Sequence, residues 1–340
     1  MAKTTIHLTI VGLNRLTASL ALALRQYSQG PNSAFDFQIT GQDGDKKALE
    51  AARHFEVVHE IQSNAQSAIR YADIVITCLP AGVMEGVYEF IGPALKAGTV
   101  VLDMSFGKRS ALALAQQYFP RHPDGTFKAY LVGIQPLVAT PYLFDTRLGV
   151  EAADAKLFYQ SEMVVAATAD VPQEAIKLAS DLAAILKMQV HFMEAAEYEA
   201  MAKITENLPA LLSLALFSSL QDSSGKRDLQ RLINPSFALM LHSLRNTEPE
   251  DLLRSWTDDP QATKTHLNGL IALLEALRDR LDDDPKEVKS YLKESLGGFD
   301  RWLKRRESGK WATELEVEQP PSLLASLLGF GRWGRKEENK

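Results

Sequence analysis

Residues 5–27 read TIHLTIVGLNRLTASLALALRQY. Ile6, Leu8, Ile10 and Val11 make an apolar run of strand length, Gly12 stops it, and the stretch from Leu16 is rich in Ala and Leu at helical spacing. That order predicts a buried strand, a tight turn and a helix over residues 16–27. Outward from this unit, residues 35–40 give a second strand ending in Gly41-Gln42-Asp43, and residues 46–54 a second helix. Residues 72–79 read as a third strand stopped by Pro80, and residues 100–104 as a fourth, after the turn signal Lys96-Ala97-Gly98. Residues 131–134 and 163–167 read as further strands of the same sheet. Strands alternating with helices at this spacing make parallel βαβ units, so the expected fold class is α/β, a doubly wound and mainly parallel sheet.

After about residue 172 the pattern changes to apolar residues three and four apart, with one more strand at residues 189–192. Helices are expected over residues 195–221, 227–245, 248–256, 262–281 and 285–306. The first of these is apolar on more than one face, as a helix buried in a bundle or in a homodimer would be. The expected organisation is therefore an α/β domain over residues 1–170, an all-α domain over 171–307, and a mobile tail over 308–340 that contains Pro320-Pro321.

Bulk properties narrow the function classes. With 46% hydrophobic and 24% charged residues over 340 positions, the chain has the composition of a globular protein of two domains. Apolar runs such as residues 208–216 are too short to span a bilayer. A net charge of −6 with both signs interspersed argues against a general nucleic-acid binder. One cysteine, Cys78, excludes an internal disulfide, and together with the lack of a signal-peptide pattern it points to the cytoplasm. The seven histidines lack metal-ligand spacing, so no metal site is expected.

The turn after the first strand is Gly12-Leu13-Asn14-Arg15-Leu16-Thr17. A Rossmann dinucleotide turn reads G-x-G-x-x-G, because glycines let backbone N–H groups approach a pyrophosphate at the helix N-terminus. Only the first glycine is present. Asn14 tolerates left-handed backbone but would project toward the phosphates, and Thr17 adds bulk where helix and strand pack. Asp43, ending the second strand, can hold a ribose hydroxyl, which favours NAD; Lys46, Lys47 and Arg15 could serve a 2′-phosphate, which leaves NADP open. Leu79 and Pro80, directly after the third strand, are expected beside the cofactor. Two readings follow: a working dinucleotide site, or a fold that persists after its affinity has fallen.

Four stretches in order resemble the prephenate dehydrogenase family. Residues 11–24, VGLNRLTASLALAL, stand where that family has its dinucleotide loop; residues 133–139, GIQPLVA, and 149–158, GVEAADAKLF, stand where it has G-H-P-M-A-G and a GVEAAD-type segment. Residues 206–210, ENLPA, resemble its S-H-L-P-H, and residues 227–231, RDLQR, its R-D-x-T-R. The resemblance covers about residues 5–295. It implies an NAD(P)-dependent oxidative decarboxylation of prephenate or arogenate on the route to tyrosine. Gln135 falls at the position of the family's proton-accepting histidine, and glutamine can orient a hydroxyl but cannot act as a general base. Residues 103–108, DMSFGK, fall on D-x-x-S-x-K with the serine one position early. By this resemblance Gln135 and Ser105 are catalytic candidates, while Arg231, Asn207 and Lys108 are candidates for binding a small carboxylate substrate. The alternatives are a catalytically impaired paralogue serving as a binding or regulatory dimer, and a dehydrogenase for another small acid.

Overall fold

The computed structural model describes residues 3–245, 249–257 and 259–309. The expected tail therefore lies, from residue 310 onward, outside the described residues. Two compact units divide between Tyr198 and Glu199.

The first unit is built on one eight-stranded sheet in the order β3-β2-β1-β4-β5-β6-β7-β8. Strand β1 (Thr4–Val11) leads through the Gly12 turn into helix α1 (Arg15–Gln29); β2 (Phe35–Gln42) leads into α2 (Lys46–His54), whose N-cap Asp45 accepts the Lys47 N–H. Then come β3 (Glu60–Gln62), the short α3 (Ala65–Ile69), β4 (Ile74–Thr77), α4 (Ala81–Ile91), β5 (Val100–Asp103), α5 (Lys108–Tyr118) and β6 (Tyr130–Pro136). The strands β1 to β6 pair in parallel. Strand β7 (Glu162–Ala166) joins β6 antiparallel, and after α6 (Gln173–Ile185) strand β8 (Gln189–Phe192) joins β7 in parallel.

Period-two alternation explains why both faces are covered. Ile10, Ile74, Ile76, Val100 and Leu102 enter one core with Leu20 and Leu24 of α1 and Leu178 and Leu182 of α6. Their neighbours Val11, Val75 and Val101 enter the other with Met84 and Tyr88 of α4 and Leu112 of α5. A strand buried on both faces reads as a continuous apolar run, which is how β1, β4 and β5 were recognisable. After β3 the chain crosses back to place β4 beside β1. Strand order reverses there, and at such a point an open α/β sheet leaves a crevice at the carboxyl ends of its strands.

The first unit runs past the boundary expected at residue 170, because α6 and β8 pack on the sheet that β7 has just extended. It closes at Tyr198, inside helix α7 (Ala195–Ala202).

In the second unit the single helix expected over residues 195–221 is interrupted by a π turn, Lys203–Asn207, before α8 (Leu208–Gln221). Pro209 has no N–H to offer the carbonyl four residues back, and a π turn is one way a helix absorbs that loss. The helix expected over residues 227–245 is broken into α9 (Lys226–Arg231), α10 (Pro235–Met240) and a turn at His242–Leu244. Pro235 forces the break, and Asn234 caps the new start by accepting the Phe237 N–H. Helices α11 (Pro249–Thr257), α12 (Pro260–Asp279) and α13 (Pro285–Ser308) follow. Asp259 and Asp284 cap the last two, each before a proline at the first helical position. Among the described residues no helix is long and apolar enough to cross a membrane.

Candidate active site

Gly12 has φ +96°, and a Cβ there would lie 2.4 Å from the Cys78 carbonyl oxygen at the end of β4. Only glycine lets the turn lie this close to the neighbouring strand. The Asp43 carboxylate accepts the Leu13 N–H through one oxygen at 2.6 Å and the Asp45 N–H through the other at 2.7 Å. Each oxygen keeps a second lone pair for a ribose hydroxyl.

Asn14 stands at φ −143°, in extended backbone, so it is not there for left-handed tolerance. Its Oδ1 accepts the N–H groups of Leu16 at 2.9 Å and Thr17 at 3.1 Å, while the Thr17 hydroxyl accepts the Asn14 N–H at 3.0 Å and donates to the Gly12 carbonyl at 2.9 Å. This is a capping box, and it accounts for both departures from the glycine pattern. The Asn14 carboxamide is thus turned onto the helix end instead of projecting outward, and its Nδ2 donates to Cys78 Sγ at 3.1 Å. Burial pushes the Cys78 thiol up in pKa and keeps it neutral. With Leu13, Asn14, Leu16 and Thr17 all bonded, the Arg15 N–H is the turn's open backbone donor among the described residues. The donor set is compatible with a dinucleotide: with the Asn14 carboxamide turned aside, the Leu16 and Thr17 N–H groups would be open to a phosphate at the positive end of α1.

Arg15 itself is committed elsewhere, which removes it from the candidates for cofactor contact through its side chain. Its guanidinium donates to the carbonyls of Asp145 (2.9 Å), Arg147 (2.9 Å) and Ala152 (3.1 Å) and pairs with the Asp145 carboxylate at 2.7 Å. Hydrogen bonds from Arg147, with the charge of Arg15 behind them, hold the Asp145 carboxyl well below the usual carboxylate range. The segment 145–154 is fixed along α1 at a further point, where the Asp154 N–H donates to Ser19 Oγ at 3.0 Å. Replacing Arg15 by alanine is expected to speed amide hydrogen exchange across residues 145–152 and to leave the NAD-to-NADP preference unchanged; a shift of that preference toward NAD would return Arg15 to the 2′-phosphate.

The ends of β4 and β5 are joined by a buried cluster. Asp103 Oδ1 accepts the hydroxyls of Thr77 (2.8 Å), Ser105 (2.8 Å) and Tyr88 (3.0 Å), and Ser105 Oγ accepts the Leu79 N–H at 2.9 Å. Lys108 donates to the carbonyls of Asp103 (2.9 Å) and Ser105 (2.6 Å), with its ammonium 3.8 Å from Asp103 Oδ2. Burial, and then the charge of Asp103, push the Tyr88 phenol well up, so it stays a donor. Ser105, expected as a catalytic group, and Lys108, expected at the substrate, are both buried and hold together the loops after β4 and β5. Leu79 is placed by this cluster and Pro80 starts α4.

Gln135 lies near the carboxyl end of β6, opposite Val164 of β7. The Tyr198 hydroxyl donates to its Oε1 at 3.2 Å, and the Lys108 ammonium sits 5.5 Å from the centroid of the Tyr198 ring. Sequence reading missed Tyr198, which belongs to no motif and lies 63 residues from its partner. In the second unit Asn207 is buried at the end of the π turn, and Arg231 is 82% exposed at the end of α9, 3.9 Å from Asp228.

Residues 20–192, just over half of the chain, match the family described as "Prephenate dehydrogenase, nucleotide-binding domain". The chain belongs to the prephenate dehydrogenase family. The matched span starts after the Gly12 turn and includes Asp43, the Asp103 cluster and Gln135. A cyclohexadienyl dehydrogenase of Zymomonas mobilis is 25% identical over 210 residues, 62% of this chain and 66% of that protein, so the match spans just under two thirds of the relative. Among solved structures, Synechocystis arogenate dehydrogenase is 19% identical with a TM-score of 0.61, covering 87% of this chain and all (100%) of that one. Prephenate dehydrogenase from Aquifex aeolicus, in complex with hydroxyphenyl propionate and NAD+, is 17% identical with a TM-score of 0.67, covering 90% and 99%. At these identities the two structures establish a common fold, which extends over both units.

Proposed function

We propose that this member of the family is an NAD-dependent oxidoreductase that oxidises and decarboxylates prephenate or arogenate, in the cytoplasm and on the route to tyrosine. The observation that carries the reading is the Gly12 turn, pressed against β4 and bonded to Asp43 at the tip of β2. Asp43 accepts a ribose hydroxyl, and its charge disfavours a 2′-phosphate there; with the Arg15 guanidinium engaged, NAD is preferred over NADP. The Arg15 N–H and the start of α1 hold the pyrophosphate. Bound NAD supplies a hydride acceptor. Gln135 orients the substrate hydroxyl, Arg231 and Asn207 are the proposed ligands for substrate carboxylate, and Ser105 and Lys108 keep the loops after β4 and β5 in place. Once the ring carbonyl forms, loss of carbon dioxide restores aromaticity and draws the reaction forward.

Assembly as a homodimer through the helical unit fits the exposure of large apolar side chains there, among them Leu232 (76%), Leu281 (79%) and Leu296 (66%). Steady-state assay with NAD and each of prephenate and arogenate tests the activity: one of them is expected to yield NADH. Turnover of neither would leave the second reading, a binding or regulatory dimer, which the capped turn favours.

The cap gives a sharper expectation. Replacing Asn14 by glycine removes the oxygen that occupies the Leu16 and Thr17 N–H groups. NAD affinity is expected to rise about tenfold, equivalent to ~1.4 kcal/mol, while exchanging the cap for glycine costs only roughly a few tenths of a kcal/mol of folding stability. Calorimetric titration of the variant beside the parent checks this; unchanged or weaker binding would mean that the carboxamide is not in the way.

A further inference from the structure

Oxidising a secondary alcohol requires a group that takes the hydroxyl proton as the carbon-bound hydrogen leaves. Gln135 cannot hold that proton at any ordinary pH. Among the described residues of the first unit, Ser105, Lys108 and Tyr198 are proton-bearing side chains linked to this end of the sheet. Ser105 is buried, with its hydroxyl donated to Asp103 and one of its lone pairs taken by the Leu79 N–H. Lys108 is 1% exposed, with its ammonium held by two carbonyls and paired with Asp103. Tyr198 is half-buried, its oxygen is 3.2 Å from Gln135 Oε1, and the Lys108 ammonium stands over its ring at 5.5 Å.

We infer that Tyr198 is the proton-accepting catalytic residue of this chain, working against the Gln135 carboxamide. The inference rests on the dehydrogenase reading above. A substrate hydroxyl that bonds to Gln135 lies within reach of Tyr198 Oη. The carboxamide serves both proton states of the phenol: its carbonyl accepts from Tyr198 O–H, as observed, and its N–H₂ donates to the phenolate after a flip. In the step itself the Tyr198 phenolate takes the proton of the ring hydroxyl while the hydrogen on the same carbon leaves as hydride to the nicotinamide, giving the ring carbonyl. The bond to the ring carboxylate then breaks, its electron pair makes the ring aromatic, carbon dioxide departs, and the ring oxygen takes the proton back from Tyr198. NAD is reduced, the substrate is oxidised, and the protein ends in the protonation state in which it began.

The test compares Tyr198→Phe, Gln135→His and the double variant with the parent. Tyr198→Phe is expected to lower kcat about 10²–10⁴-fold with little change in KM, and Gln135→His in the Tyr198→Phe background is expected to restore most of the loss by supplying an imidazole base. A group that only packed the site would not be rescued from position 135. Binding of hydroxyphenyl propionate against phenylpropionate gives a readout without turnover. The parent is expected to prefer the hydroxylated compound about five- to tenfold, and Tyr198→Phe to erase the preference. A Tyr198→Phe kcat within about threefold of the parent, a double variant no better than Tyr198→Phe, or an undiminished preference for the hydroxyl would overturn the assignment. Absence of turnover in the parent would instead remove the dehydrogenase reading, and the binding comparison would still decide whether Tyr198 faces the ligand's hydroxyl.

Discussion

Lys108→Met is expected to destabilise the protein by about 3–5 kcal/mol, the usual consequence of removing one partner of a buried ion pair. Asp103 is fully buried (0% exposed) and Lys108 nearly so (1%). Asp103 Oδ1 is saturated by three hydroxyls, but Oδ2 has no hydrogen bond and depends on the ammonium 3.8 Å away for charge compensation. Methionine would fill much the same volume against Gly133, where Lys108 Cδ already lies 3.0 Å from the place of a Cβ, so the expected loss comes from the ion pair and the two hydrogen bonds to the Asp103 and Ser105 carbonyls and not from a packing defect. Adding Asp103→Asn to Lys108→Met should recover part of the stability, because the orphaned charge is then removed as well. Chemical denaturation followed by tertiary signals checks both variants. A Lys108→Met protein with the parent's midpoint would mean that the pair contributes nothing to the fold.

The second large effect is expected at Gly12→Ala. A residue with a side chain at φ +96° bears about 1–3 kcal/mol of backbone strain, and the new Cβ, 2.4 Å from the Cys78 carbonyl, forces the turn away from β4 as well. The Leu13–Asp43 hydrogen bond ties the same turn to the end of β2 on its other side, and should be lost when the turn shifts. NAD binding is therefore expected to weaken by more than about a hundredfold, roughly 2.7 kcal/mol or more. Gly44→Ala is the control, since a Cβ there meets nothing within 4 Å and the position lies in the same loop region beside Asp43. Equal affinity for NAD in the two variants would show that the turn does not carry the cofactor.

What could be read from sequence follows from the range of the interactions. Strands β1, β4 and β5 were legible because burial on both faces writes itself as a run of Ile, Val and Leu. Strand β3 was not, since Ile61 is its one apolar residue and its pairing to β2 spans three positions. The domain boundary was placed early because α6 reads as the first member of a helical series, and only its packing against β7 and β8 assigns it to the sheet. At the site, Gly12 and Asp43 were legible from a local template. Asn14 and Thr17 were read as damage to that template when together they build a cap, a different solution to the same unpaired N–H groups. The partners of Arg15 lie 130 residues and more along the chain, and that of Tyr198 lies 63 away, distances at which a single sequence carries no signal.

Calorimetric titration of the full chain with NAD and, separately, NADP tests the central claim that the turn after β1 still receives a dinucleotide. Saturable binding of NAD, tighter than that of NADP and strengthened by Asn14→Gly, is the expected result. Failure of both nucleotides to bind at millimolar concentration, in the parent and in the Asn14→Gly variant alike, would contradict it.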